Sequence, residues 1–175
     1  MKDEPFYDTN ILVYAYDLSD PLKRKHCSQI VKNVFLGKEN GVISNQILAE
    51  LYNAFTMKLG VSAESAIRII DAFVQSENWL KLNYNEKTVS SDLKSSLAFK
   101  TPFLDTLICE TMKETGIKLI FTENQKDFKN MPGLKVINPI HPRSERSKMF
   151  LRLHIILSQN SNVYYIQYLD CIGLA

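Results

Sequence analysis

The chain has 175 residues, 45% of them hydrophobic and 23% charged, and a formal net charge of +2, a size and mix suited to one domain with one sizeable core. No stretch approaches the roughly 18 uninterrupted apolar residues that span a bilayer, and Met1 to Asn10 lacks the apolar core of a signal peptide. Cys27, Cys109 and Cys171 form no CxxC pair and have no histidine at ligand spacing, so neither a zinc site nor a disulfide framework is indicated, and a cytoplasmic protein with no membrane partner is expected.

In chain order, Pro5 to Tyr7 reads as a buried strand stopping at Asp8, with a helix close behind it through Ile11, Leu12 and Val13. Lys23 to Phe35 carries apolar residues at helical spacing, and Gly41 to Ser44 is a second strand. Ile47 to Leu59 makes an amphipathic helix ended by Gly60, with Glu50 beside its apolar stripe. Ser62 caps a helix whose buried face holds Ala66, Ile69, Ile70, Phe73 and Val74, and Leu80 to Leu82 is a third strand. Thr88 to Phe99 is a weaker helix. The next starts with Thr101 as cap and Pro102 at its first position, turns Leu104, Leu107, Ile108 and Met112 inward, and ends at Gly116. Lys118 to Thr122 and Lys135 to Asn138 are strands flanking a short turn or helix over Gln125 to Lys129. This alternation predicts an α/β fold, a three-layer α/β/α sandwich on a mostly parallel sheet. The prolines and charged run at 139–148 place a boundary near residue 142, leaving 143–175 as a C-terminal extension.

Acids that follow strands in an open α/β sheet face the crevice at the strands' carboxyl ends. Asp8 qualifies directly, and Asp105 sits in a first helical turn, where the helix dipole tolerates negative charge. Asp8, Glu50 and Asp105 each have apolar neighbours, among them Tyr7 and Ile11, Leu48 and Leu51, and Leu104 and Leu107. A carboxylate among core positions is costly unless it is paired or bound to a cation. Each acid also has a bland reading as a turn residue or a favourable helix-end charge. His26, His141 and His154 fall outside these segments and receive no role.

Asp8-Thr9-Asn10, Glu50 within Ile47 to Leu51, Asp105 within Pro102 to Ile108, and Thr122 to Phe128 resemble, in order, the four signature segments of the PIN-domain family. The trailing Pro132-Gly133-Leu134 and Ile137-Asn138-Pro139 resemble its closing strand, so the similarity covers residues 5 to 140. In size and layout the chain resembles the VapC-like toxins, the ribonuclease halves of toxin–antitoxin pairs. The resemblance implies a ribonuclease with Asp8, Glu50, Asp105 and a fourth acid gathered into one site for Mg²⁺ or Mn²⁺. Many members carry an acid where this chain has Asn124; here Asp127 is the first choice, Glu123 the second, and Asn124 a neutral ligand or water-positioning group. It also implies an antitoxin partner and an RNA substrate, while residues 149–175 offer a candidate surface for a homodimer or an inhibitory partner.

Oxygen donors without His or Cys suit a hard cation, and such an ion activates a water and stabilises a leaving oxygen. Thr9, Asn10 and Thr122 are then supports that hydrogen-bond the carboxylates. Lys100, Lys113, Lys118, Lys126 and Lys129 are candidate phosphate contacts, and Tyr14, Tyr16 and Phe103 candidate stacking surfaces. Two rival readings keep similar folds: a PIN-like module that binds RNA or protein without cutting, and a receiver-type phosphotransfer domain. The receiver would want a Lys after a late strand, where Thr122-Glu123-Asn124 offers none. Residues 149–175 are read either as an interaction surface or as elements packed on the same domain.

Overall fold

Parallel pairing needs crossover connections, and the computed structural model, which describes residues 4–140, shows how the chain supplies them. The strands are β1 (Phe6–Tyr7), β2 (Gly41–Ser44), β3 (Trp79–Leu82), β4 (Leu119–Phe121) and β5 (Lys135–Ile137). They form one sheet in the order β3-β2-β1-β4-β5, with every pairing parallel. β1 is only two residues long, yet both are fully buried. Phe6 pairs with Val42 on one side and with Ile120 on the other.

The helices are α1 (Thr9–Tyr14), α2 (Pro21–Phe35), α3 (Asn45–Asn53), α4 (Ala63–Gln75), α5 (Glu86–Phe99), α6 (Phe103–Thr115) and α7 (Gln125–Phe128). Strand order steps outward from β1 to β3, then returns to β4 beside β1. Right-handed crossovers therefore lay α1 to α4 on one face and α5 to α7 on the other. The packing agrees: α1 meets α2 and α3, and α3 meets α4, while α6 joins α5 and α7. The result is the expected three-layer α/β/α sandwich.

Several boundaries differ from the sequence reading. Asp20 caps α2 by accepting from the Lys23 amide at 3.0 Å, so that helix starts at Pro21. The helix through Glu50 does not run unbroken to Leu59; α3 gives way to a π-helical segment at Ala54–Lys58. Asn85 forms a capping box with Thr88, which starts α5 at Glu86. Thr101 is not the cap of α6, because its hydroxyl donates to the Phe99 carbonyl at 3.4 Å and Pro102 takes the cap position. Leu104 and Val74, expected inward, are 52% and 48% exposed. Burial of α6 begins at Thr106. The turn before it rises above the carboxyl ends of the strands, since a crossover helix runs antiparallel to them. The extension at 143–175, including Cys171 and His154, lies outside the described residues, as does His141.

The core centres on Trp79, packed edge-on against Tyr7 and Phe73 with ring centroids 4.9 and 5.0 Å away. Close approach to this ring explains Gly41, whose Cβ would sit 2.5 Å from Trp79 Cζ3. Gly41→Ala is expected to cost about 2 to 3 kcal/mol through overpacking, measured as a lowered urea midpoint.

Candidate active site

The sheet order reverses between β1 and β4, and a crevice opens at the carboxyl ends of adjacent strands at such a point. Asp8 stands there, directly after β1, with its amide donating to the Phe121 carbonyl at 3.0 Å. It is 8% exposed. Thr122, directly after β4, donates its hydroxyl to Asp8 Oδ2 at 2.6 Å, and Asn10 Nδ2 donates to the same oxygen at 2.5 Å. Asn10 Oδ1 in turn accepts from the Glu123 amide at 3.2 Å. Asn10 thus straps the start of α1 to the segment after β4.

Burial is the largest influence on Asp8 and raises its pKa to about 6; the Glu50 charge adds to this, and the bonds from Thr122, Thr9 and Asn10 hold it down. Asp105 is also raised to about 6, first by burial and then by the charges of Asp8, Asp127 and Glu50. Among the described residues no hydrogen-bond donor reaches the Asp105 carboxylate. Thr122→Val removes a bond that favours the ionised Asp8, so the Asp8 pKa is expected to climb further above about 6, as followed by carboxyl NMR titration.

Glu50 projects from α3 with both oxygens held: Thr9 Oγ1 donates to Oε2 at 2.5 Å and Gln46 Nε2 to Oε1 at 2.8 Å. Sequence reading missed Gln46, although a position four residues before Glu50 shares its helix face. The fourth-acid candidates part company. Glu123 turns to Lys23, 2.6 Å away, and to the Tyr14 hydroxyl, whereas Asp127 accepts from Asn124 Nδ2 and its charge reaches Asp105. Lys23 also lies 4.4 Å from the Tyr14 ring centre. The pairing of Lys23 with Glu123, one hundred positions apart, is not visible in a local pattern.

The acids flank a cavity of about 780 Å³ lined by Asp8, Glu50, Asp105 and Asn124, with Tyr14, Tyr16 and Lys58 on its wall. Lys113, by contrast, pairs with Glu110 at 3.5 Å. Among the described residues no three acidic, His or Cys side chains stand close enough to hold a metal directly. Like charges repel, and Thr9 with Gln46 and Asn124 anchor Glu50 and Asp127 where they stand. The donor chemistry still fits Mg²⁺, which keeps several of its waters and takes only one or two carboxylates directly. Buried Asp8 and donor-free Asp105 are the two that fit this need.

Residues 6–134 match the family model described as PIN domain. Among solved structures, a toxin–antitoxin complex from Klebsiella pneumoniae is 20% identical over 78% of this chain and 98% of its own, with a TM-score of 0.54. VapC20 of Mycobacterium tuberculosis, described as a sarcin-ricin loop cleaving toxin, is 13% identical over 75% of this chain and 97% of its own, with a TM-score of 0.60. DNA-bound VapBC from Salmonella typhimurium is 18% identical over 78% and 98%, with a TM-score of 0.55. No curated protein matches the chain.

Proposed function

Because this chain belongs to the PIN domain family, we propose that it is a Mg²⁺-dependent endoribonuclease and the toxin of a toxin–antitoxin pair. The observation that carries the reading is the pair Asp8 and Asp105, both with pKa values raised to about 6 at the switch point of a parallel sheet. Strongly perturbed acids facing one another across a cleft mark functional sites. Asp105, which lines the cavity with Asp8, has no donor among the described residues, leaving its charge for a cation to compensate.

Asp8 and Asp105 would hold the cation, with Glu50 and Asp127 reaching it through its waters. Mg²⁺, or Mn²⁺ in its place, would neutralise phosphate charge and activate a water. The chain's own groups do the positioning. Thr122 and Asn10 fix the Asp8 carboxylate through Oδ2, and the Thr9 amide adds a further bond. Thr9 fixes Glu50, and Asn124 fixes Asp127. Glu123 instead keeps Lys23 and Tyr14 at the rim, where a cation and an aromatic ring suit a phosphate and a base.

The solved relatives that are toxin–antitoxin complexes support an antitoxin partner. Among the described residues no helix is long and apolar enough to cross a membrane. The deciding experiment incubates labelled RNA with the protein in Mg²⁺, in Mn²⁺ and in EDTA. Cleavage in both metals and none in EDTA is expected; cleavage unaffected by EDTA, or binding without cleavage, overturns the reading in favour of a different nuclease or a non-catalytic module.

A further inference from the structure

Gln46 is an unusual residue to find 5% exposed on the inner face of α3. Its Nε2 donates to two groups at once, Glu50 Oε1 at 2.8 Å and the Leu104 backbone carbonyl at 2.9 Å. Both partners are pure acceptors, so the amide orientation is fixed by chemistry. The consequence is that Gln46 Oε1 is buried with no hydrogen-bond partner among the described residues. Leaving a buried acceptor unsatisfied is costly, and a shorter or apolar residue would avoid that cost. What the arrangement achieves is a cross-link: Glu50 on α3 is tied to the first turn of α6, one residue before Asp105.

We propose that Gln46 is a positioning residue that sets the separation of Glu50 from Asp105 and so determines how tightly the site binds a divalent cation. The inference rests on the cation-dependent reading of the site. Without the cross-link, Glu50 keeps only the Thr9 bond and swings on its helix. The Leu104 carbonyl loses its side-chain donor, and the charge repulsion that separates Glu50 from Asp105 acts unopposed. Gln46 touches neither substrate nor reacting atoms; it acts through Glu50.

The test uses Gln46→Met, which keeps length and volume and removes the donors. Mg²⁺ binding is measured by titration calorimetry on the full chain in the absence of RNA, alongside melting temperature. Gln46→Met is expected to weaken Mg²⁺ binding about 10-fold, the lower end of the range for outer hydrogen-bond partners at a metal site because Glu50 acts through water, with KM for RNA unchanged and kcat reduced at subsaturating Mg²⁺. In a Glu50→Gln background the same substitution is expected to have no further effect on Mg²⁺ affinity. A Gln46→Met protein that melts lower but binds Mg²⁺ like the wild type overturns the proposal, as does full additivity with Glu50→Gln. If the wild type binds Mg²⁺ and Gln46→Met binds it more weakly, yet neither cleaves RNA, the nuclease reading fails while the role of Gln46 stands. Absence of Mg²⁺ binding by the wild type overturns both.

Discussion

Asn in place of Asp8 is expected to abolish Mg²⁺-dependent RNA cleavage while raising the melting temperature of the metal-free protein. Loss of a principal cation ligand removes several kcal/mol of transition-state stabilisation, and about 4 kcal/mol corresponds to roughly 10³-fold in rate. Stability moves the other way because the Asp8 pKa rises from 3.8 in the unfolded chain to about 6 in the fold. At neutral pH the fold holds a charge it disfavours, by about 3 kcal/mol for a shift of this size. Asn at position 8 still accepts from Thr122 and Asn10 but carries no charge, so a gain of about 2 kcal/mol is expected at pH 7 by thermal melting. Asp105→Asn should follow in direction, with a smaller gain because Asp105 is less buried. A variant at position 8 that cleaves like the wild type, or melts lower without metal, would contradict the assignment.

The same two acids predict how pH and metal act together. A carboxyl raised in the fold contributes stability that is fully present below its unfolded pKa near 3.8 and is lost as pH rises through about 6. The difference in stability between the wild type and Asp8→Asn is therefore expected to open between pH 4 and pH 6 and to stay constant above. Mg²⁺ should close it. At one hundred times its Kd a ligand adds about 2.7 kcal/mol, enough to raise the wild-type melting temperature at pH 7.5 by roughly 5 to 10 °C. At pH 5, where protons already occupy the site, the same Mg²⁺ should have little effect. Equal stabilisation of the wild type and Asp8→Asn by Mg²⁺ at pH 7.5 would show that the cation binds elsewhere.

Local signals made most of the architecture legible. Gly41 to Ser44 as a strand, Ser62 as a cap and Gly116 as a stop are short-range effects of burial, a capping hydroxyl and a left-handed turn, and all three are present. Thr101 misled because a capping residue and a turn residue offer the same hydroxyl, and only the observed bond to Phe99 separates them. The π-helical segment after α3 has no proline or glycine to announce it. At the site, Asp8, Glu50 and Asp105 were readable from strand ends and apolar neighbours. Asp127 ranks above Glu123 in the sequence, but the Lys23 contact that draws Glu123 aside, from about one hundred positions earlier in the chain, has no local signature. Gln46 escaped because a buried glutamine has no signature apart from the partners that hold it.

The position of β1 has a consequence for the timing of activity. It is a two-residue strand in the middle of the sheet, and its second neighbour is β4. Thr122, the residue that steadies Asp8, comes from the end of that neighbour, 114 positions downstream. Asp8 and Glu50 therefore precede β4 by a long stretch of chain, whereas Asp105 lies just ahead of it, and pairings this distant form late. On the proposed reading, the site is expected to become competent only once β4 has formed and inserted beside β1.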